Sequence, residues 1–560
     1  MGLGHSVDSP IRVAHLGINS VISIVDDLLL EKIRKYYAQK WDWPYNSIPR
    51  SADDGRAKRI TAYLDLVKTI VDHKFTALKD QPLYNGTEKD RYFKLLPESS
   101  LLKKEYERIQ TIEDKKRQNE AIDKLTDSMQ PGAIDVNIMT KVDALNYDSN
   151  QNPLSPEYSD ASAALRGFAQ SSLQSSVVLS AGFNPRLYSY MAEFDDFYRN
   201  SDGTLDKKII LKVSDFRSAL IQGKFLAKKG LEVAEFRIES GLNCGGHLFP
   251  SDGQLMPLLL REFKEQRDKL AETFMPLLEK YYEKADRTFP VDEQTIAPAI
   301  TVQGGIGING EMQRLLQDFE VDGTGWGSPF LLVEEATCVD EETTKLLSDS
   351  TEEDVYLSNV SPFGIPFNNI RGTGSEKHTR EQIEKDKPGS KCPKGFLVSN
   401  TEFTENPICT ASSEYQLLKL NDIEESELTS QEKEEQKEKV LQKTCLCRNL
   451  GTGALIRLGI QKPSYGRQSV CPGPNIAWFD DQYTLDEMVD HIYGRREPLV
   501  PEERPHMFAK ELTMYVDYLH DLVDEAGDPG DRKCNKMRKN LEKGIEYCLE
   551  ISQREPFEGE

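Results

Sequence analysis

Short runs dense in Val, Ile and Leu recur at residues 133–139, 176–181, 208–213, 232–238, 299–303 and 319–323, and the middle ones lead into stretches whose apolar positions fall every three or four residues. Brief apolar runs bounded by turn residues predict buried strands, and the wider spacing predicts helices. Together they predict parallel βα units. Residues 9–26, rich in Val and Ile with Pro10 and Gly17 as punctuation, predict the first strand region. From Glu31 to about Leu125 the chain turns charged and helix-favouring, as in residues 57–75, which predicts an inserted helical layer. Within residues 256–285, Leu260, Phe263, Leu270, Phe274 and Leu277 are placed on one helix face. Residues 421–443 are almost all charge and predict a solvated helix or a flexible linker. The C-terminal stretch predicts a helical hairpin. Phe508, Leu512, Tyr515, Leu519 and Leu522 mark one arm, Gly527-Asp528-Pro529-Gly530 the turn, and Met537, Leu541, Ile545 and Leu549 the other arm.

Composition narrows the picture. A chain of 560 residues with net charge -23 carries a field that opposes nucleic acid and anionic membranes. No membrane-length apolar run or leader pattern is visible, which predicts a cytoplasmic protein without membrane or nucleic-acid partners; the oligomeric state is open. The nine Cys are too sparse for a disulfide scaffold. Five segments are expected: 1–30 with the first strand, 31–128 helical, 129–372 the main body, 373–503 a Cys-containing extension, and 504–560 the hairpin.

Two glycine turns carry the strongest chemical signal. The run 300–303 ends in Gly304-Gly305-Ile306, and the next run leads into Gly323-Thr324-Gly325-Trp326-Gly327-Ser328. Glycines at neighbouring strand ends let backbone N–H groups approach a phosphate, and the helix that follows adds its positive end. Each turn alone is better read as an ordinary tight turn; the pair of them favours the phosphate. A third motif, Gly241-Leu242-Asn243-Cys244-Gly245-Gly246-His247, follows the run at 232–238. Histidine suits proton transfer near neutral pH, although a loop histidine also serves simply to bond backbone.

These motifs, with the Phe363-Gly364-Ile365-Pro366 to Arg371 segment beyond them, resemble the nitronate monooxygenase and flavin-dependent enoyl reductase family. The resemblance spans roughly residues 133–371. It implies a (β/α)₈ TIM barrel that binds FMN, with Gly304, Gly305, Gly325, Gly327 and Ser328 holding the phosphate. It further implies Asn137, Gly245 and Gly246 against the flavin ring and His247 as catalytic base, with Asn243, Cys244 and Ser180 on the substrate side. The family often has Glu where this chain has Asn243, and Asn cannot be an anionic acceptor. Lys212, inside a strand, either reaches the flavin or faces outward. The implied activity is oxidation of a nitronate-like small carbon acid with O2. The alternatives are reduction of an enoyl thioester by NAD(P)H, and a non-catalytic phosphate-binding scaffold.

Downstream, Cys392, Cys409, Cys445, Cys447 and Cys471 are candidate ligands of an iron–sulfur cluster or a zinc ion, since Cys-Pro pairs and Cys-x-Cys occur near such ligands. Their spacing is not that of a ferredoxin or zinc ribbon. Free thiols are the favoured alternative.

Overall fold

The computed structural model describes residues 4–560 except 149, 151, 181, 251, 288, 290–295 and 527–530. Its centre is a sheet of seven strands, all parallel and hydrogen-bonded in chain order: β1 (Ser20–Ser23), β2 (Ile134–Met139), β3 (Ser175–Ser180), β4 (Lys207–Val213), β5 (Val233–Glu239), β6 (Ala299–Gln303) and β7 (Gly323–Gly325). Strict alternation along these strands assigns the two faces. Ile22, Val136, Ile138, Val177, Leu179, Ile209, Leu211, Phe236, Ile238 and Val302 join one apolar core with the surrounding helices. The other face is charged: Arg237 Nη2 donates to Asp135 at 3.1 Å and Arg237 Nε to Glu235 at 2.7 Å, while Thr301 Oγ1 donates to Glu235 at 2.5 Å. Arg237 on β5 and Asp135 on β2 are three strands apart, roughly 14 Å in a flat sheet. Their contact shows that the sheet curls about its polar face.

The eighth strand of the expected barrel is absent among the described residues, and no pairing joins β7 to β1. The reason lies in residues 9–16, expected to be extended. They form helix Ser9–Val13 and a 3₁₀ turn, with a proline in the first helical turn, an Arg12–Asp8 ion pair one turn apart, and Gly17 at φ +81° ending the run. Hydrogen bonds from Ser9 Oγ to Ala336 O (2.6 Å) and Cys338 N–H to His5 O (2.7 Å) bridge the seam instead. The last strand is also shorter and later than the run at 319–323, covering only Gly323–Gly325.

Helices Asp27–Lys40, Gly55–Lys79, Glu88–Leu95, Leu101–Gln110 and Lys115–Asp127 follow one another in the chain between β1 and β2, where the sequence predicts a helical layer. The stretch 256–285 is two helices, Met256–Glu265 and Arg267–Lys284, broken at Gln266. The charged stretch 421–443 is ordered: the end of helix Ser413–Glu425 and helix Ser430–Leu441 pack as a hairpin, the second started by a Thr429–Glu432 capping box. Helices Met507–Ala526 and Arg532–Ser552 pack together as expected, but Tyr547 and Ile551 are buried where Ile545 and Leu549 are exposed. The proposed turn at 527–530 lies outside the described residues. An antiparallel pair, β8 (Val355–Ser358) and β9 (Phe367–Ile370), sits over the strand ends. No described helix is long and apolar enough to cross a membrane.

Candidate functional site

A cavity of about 330 Å³ opens at the carboxyl ends of β1 to β5, lined by Ser23, Asn137, Ser180, Lys212 and Glu239 from the strands. In α/β folds with parallel strands this end carries the ligand site. Its floor is made by strand residues one step above the charged ladder. Lys212, whose direction the sequence left open, points inward and ion-pairs Glu239; Glu239 also accepts from Gln303 Nε2 at 2.7 Å. Burial works against the Glu239 carboxylate, but Lys212 outweighs it and holds the carboxyl below its ordinary range. Asn137 Oδ1 is buried without a hydrogen-bond partner. An orphaned acceptor in a cavity wall is a position where a ligand N–H belongs.

The wall after β5 is the loop 241–247. Gly241, Cys244, Gly245, Gly246 and His247 all face the cavity. β9 clamps this loop. Asn368 N–H donates to Gly246 O at 3.1 Å, its Nδ2 reaches Leu242 O and Cys244 O, and Leu248 N–H donates to Pro366 O at 2.9 Å. His247 Nε2 and Ser361 Oγ share a hydrogen bond of 2.6 Å, and the ring packs edge-on against Phe367. Burial, then the nearby Lys141 charge, push the imidazole down to about 4. Lys141, itself lowered by burial, lies 4.2 Å from the Phe249 ring centre and has no carboxylate partner among the described residues. Cys244 is a buried thiol raised by desolvation, so it acts as a small apolar wall residue.

The phosphate turns stand beside this cavity rather than in its lining. β6 and β7 pair Gln303 with Gly325, which makes the two tips neighbours. Gly304 and Gly305 sit at φ +110° and +84°, and the backbone N–H groups of Gly304, Gly305 and Gly327 meet no protein acceptor among the described residues. A Cβ at Gly327 would meet nothing within 4 Å. The segment Cys471 to Asn475 closes over these tips: Gly473 N–H donates to Ser328 Oγ at 2.7 Å, and Asn475 Nδ2 to Ile306 O at 2.9 Å. Asn243, expected at the substrate, is turned away from the cavity; its Nδ2 reaches Met507 O at 3.3 Å and would lie 2.1 Å from a Cβ at Gly305. Bare amides at two adjacent tips, an orphaned carboxamide oxygen in the wall, and a cavity between them fit the two ends of FMN.

The downstream cysteines form no recognisable metal group among the described residues. All nine cysteines are free thiols, and the described residues contain no group of three or more His, Cys, Asp or Glu side chains arranged for a metal ion. Cys447 and Cys471 reach the cavity wall while Cys392 is exposed at the surface. Sequence reading missed Lys141, Ser361 and Asn368, which sit in loops or in a strand outside the main sheet. It also missed Arg504, whose guanidinium bonds Gly305 O (2.6 Å), Asn475 Oδ1 (2.7 Å) and the buried Glu311 (2.7 Å).

No known family profile matches the chain, and no curated protein matches it. Among solved structures it is similar to FabK from Thermotoga maritima, at 14% identity over 72% of this chain and 83% of that one, with a TM-score of 0.32. The enoyl reductase domain of MlnA from the macrolactin biosynthesis cluster of Bacillus amyloliquefaciens gives 14% identity over 77% and 87%, with a TM-score of 0.35. Nitroalkane oxidase from Streptomyces ansochromogenes gives 10% over 68% and 84%, with a TM-score of 0.31. Likenesses this distant assign neither a family nor an activity.

Proposed function

We propose that the chain is an FMN-dependent oxidoreductase acting on a nitronate-like or related small carbon acid, with His247 as base. The observation that carries this reading is the adjacency of a cavity, walled by His247 and the orphaned Asn137 Oδ1, to two strand tips whose backbone amides meet no protein acceptor among the described residues. Gly304, Gly305 and Gly327 would hold the phosphate, helped by Ser328 once its hydroxyl is released from Gly473. Asn137 would accept from the ring, and Gly245 and Gly246 allow close approach. Bound there, the flavin supplies the electron chemistry.

The chain's own part is binding and proton handling. Lys141 supplies a positive charge without a carboxylate partner among the described residues, which suits an anionic substrate. With Nε2 committed to Ser361, Nδ1 of His247 is the nitrogen that exchanges a proton with the substrate. An imidazole near 4 is neutral at physiological pH and therefore free to accept. Phe367 and the β8–β9 pair keep the ring in place and water out.

The test is direct. The full chain, reconstituted with FMN and freed of excess, is expected to show flavin absorption and to release one FMN per chain on denaturation; no retained flavin ends the reading. Assay with an alkyl nitronate under oxygen, beside an enoyl thioester with reduced nicotinamide, is expected to show turnover of the first.

A further inference from the structure

Glu511 is a buried carboxyl that neither the proton handling of His247 nor the phosphate tips use. It stands on helix Met507–Ala526 and meets the main sheet at Ser240, the residue directly after β5. Ser240 Oγ donates to Glu511 Oε1 at 2.5 Å, and Met256 N–H, the first of helix Met256–Glu265, donates to Oε2 at 2.8 Å. The Ser240 backbone N–H is fixed to Gln303 O on β6 at 3.2 Å, and its hydroxyl oxygen accepts from Asn243 N–H at 3.0 Å. Ser240 also lines the cavity, so its hydroxyl joins the buried carboxyl to that space.

Among the described residues no positive charge stands by to hold this carboxyl ionised. Tyr515 on its own helix, Cys244 from the loop after β5 and Cys548 from helix Arg532–Ser552 face it, and burial keeps all three protonated. Lys212 and Glu239, which also act on Cys244, are engaged with each other. Helix Met256–Glu265 offers its end N–H. Desolvation outweighs the two hydrogen bonds and raises Glu511 to about 7, so its proton is gained and lost near neutrality. That proton decides what Ser240 shows the cavity, because a serine hydroxyl has one hydrogen and two lone pairs. While Glu511 is ionised, the hydrogen points at the carboxylate, Asn243 N–H takes one lone pair, and the other is left for the cavity. Once Glu511 is neutral, its O–H donates to Ser240, both lone pairs are filled, and the serine hydrogen turns to the cavity.

We propose that Ser240 and Glu511 form a second proton path into the cavity, separate from His247, in which Ser240 hands a proton to the occupant and Glu511, the positioning residue behind it, replaces that proton. The inference rests on the reading that the cavity hosts proton-coupled chemistry. The Ser240 O–H bond breaks as its proton passes to a basic atom of the occupant, and the Glu511 O–H bond breaks as its proton passes to Ser240 Oγ. Ser240 ends as it began, Glu511 becomes a carboxylate, and the occupant gains one proton; nothing is oxidised or reduced. With the cavity open, the carboxyl recovers a proton from water by the same route in reverse. The two paths enter from different sides. A Cβ at Gly304 would lie 3.1 Å from Ser240 Cβ, which places Ser240 beside the β6 tip, whereas His247 bridges to Phe367 on β9.

The signature is the infrared carbonyl band of a protonated carboxyl, read as the difference between the full chain and Glu511→Gln, without flavin or substrate. The band is expected to be present in acid, half lost near pH 7 and absent in base. A carboxylate that only caps helix Met256–Glu265 stays ionised down to the ordinary carboxyl range of about 4 and gives no band near neutrality, which overturns the proposal. The route is read by transfer into D2O at about pH 6, where deuterium shifts the band of the neutral acid. Threonine and valine have nearly the same shape, so a difference between Ser240→Thr and Ser240→Val reports the hydroxyl. Ser240→Thr is expected to exchange as fast as the parent and Ser240→Val about tenfold or more slowly; equal exchange in the two overturns the proposal. None of these measurements needs FMN, so a chain that fails to retain flavin still answers them, and either reading can fail alone. In a chain that turns over an alkyl nitronate, Glu511→Gln is expected to keep FMN and to lose an inflection of kcat near pH 7. An unchanged profile removes the pair from turnover and overturns the proposal.

Discussion

His247 meets the cavity as an uncharged ring, and its neighbours explain why. Burial acts first and Lys141 second, so the acid limb of kcat/KM is expected near pH 4 rather than at the ordinary histidine value of about 6.5. Lys141→Met removes the cation: the limb is expected to move upward, and KM for an anionic substrate to rise about tenfold, or ~1.4 kcal/mol. A limb that stays in place would show that Lys141 does not face the ring. His247→Ala is expected to keep flavin and lose about two to four powers of ten in turnover. His247 itself was legible from its glycine-rich loop, whereas Ser361 was not. It lies more than a hundred residues away and reaches the ring only because Asn368 on β9 pins the loop from above.

At the scale of elements, the two strand tips can be tested apart. Gly305 has φ +84° and a Cβ there would meet Asn243, so any side chain at that position strains the fold itself. Gly327 has φ -123° and open space around it. Gly327→Leu is therefore expected to leave the urea midpoint unchanged within about 0.5 kcal/mol and to lower FMN occupancy sharply, which makes it the cleaner variant. Where helix Phe216–Ala227 crosses helix Arg267–Lys284, a Cβ at Gly223 would lie 2.2 Å from the Phe274 ring. Gly223→Ala is expected to destabilise by about 1–3 kcal/mol in denaturant titration, despite alanine's better helix propensity. The middle strands were legible because their outer residues alternate against a helical coat. Residues 9–16 were not, because Val and Ile there sit in a short helix whose cause is Pro10 and Gly17, read as punctuation rather than as helix signals. Pro472-Gly473-Pro474-Asn475 reads from the sequence as a rigid loop over the barrel mouth, but its contact with Ser328 is long-range and leaves no local trace.

For the whole molecule, three buried histidines and the half-buried His247 share one sign. His5, His247 and His491 are held near 4 and His15 near 3, all by burial first. Unfolding lets each return to about 6.5, so the unfolded chain binds more protons between those values and stability rises with pH across that window. Glu511, raised by burial to about 7, works the other way: its neutral form favours the folded chain below that pH. Four against one, the urea midpoint is expected to fall as pH drops from about 6.5 to 4. A flat or rising midpoint would mean that these rings are hydrated in solution.

The charged ladder of Arg237, Asp135 and Glu235 has a kinetic consequence. A floor of interlocked ions closes the cavity toward the amino ends of the strands, so traffic is expected through the mouth at their carboxyl ends. A first product must depart before a second reactant of similar size can enter. Initial-rate plots against the two reactants should accordingly run parallel, and each product should compete with the reactant that takes its place.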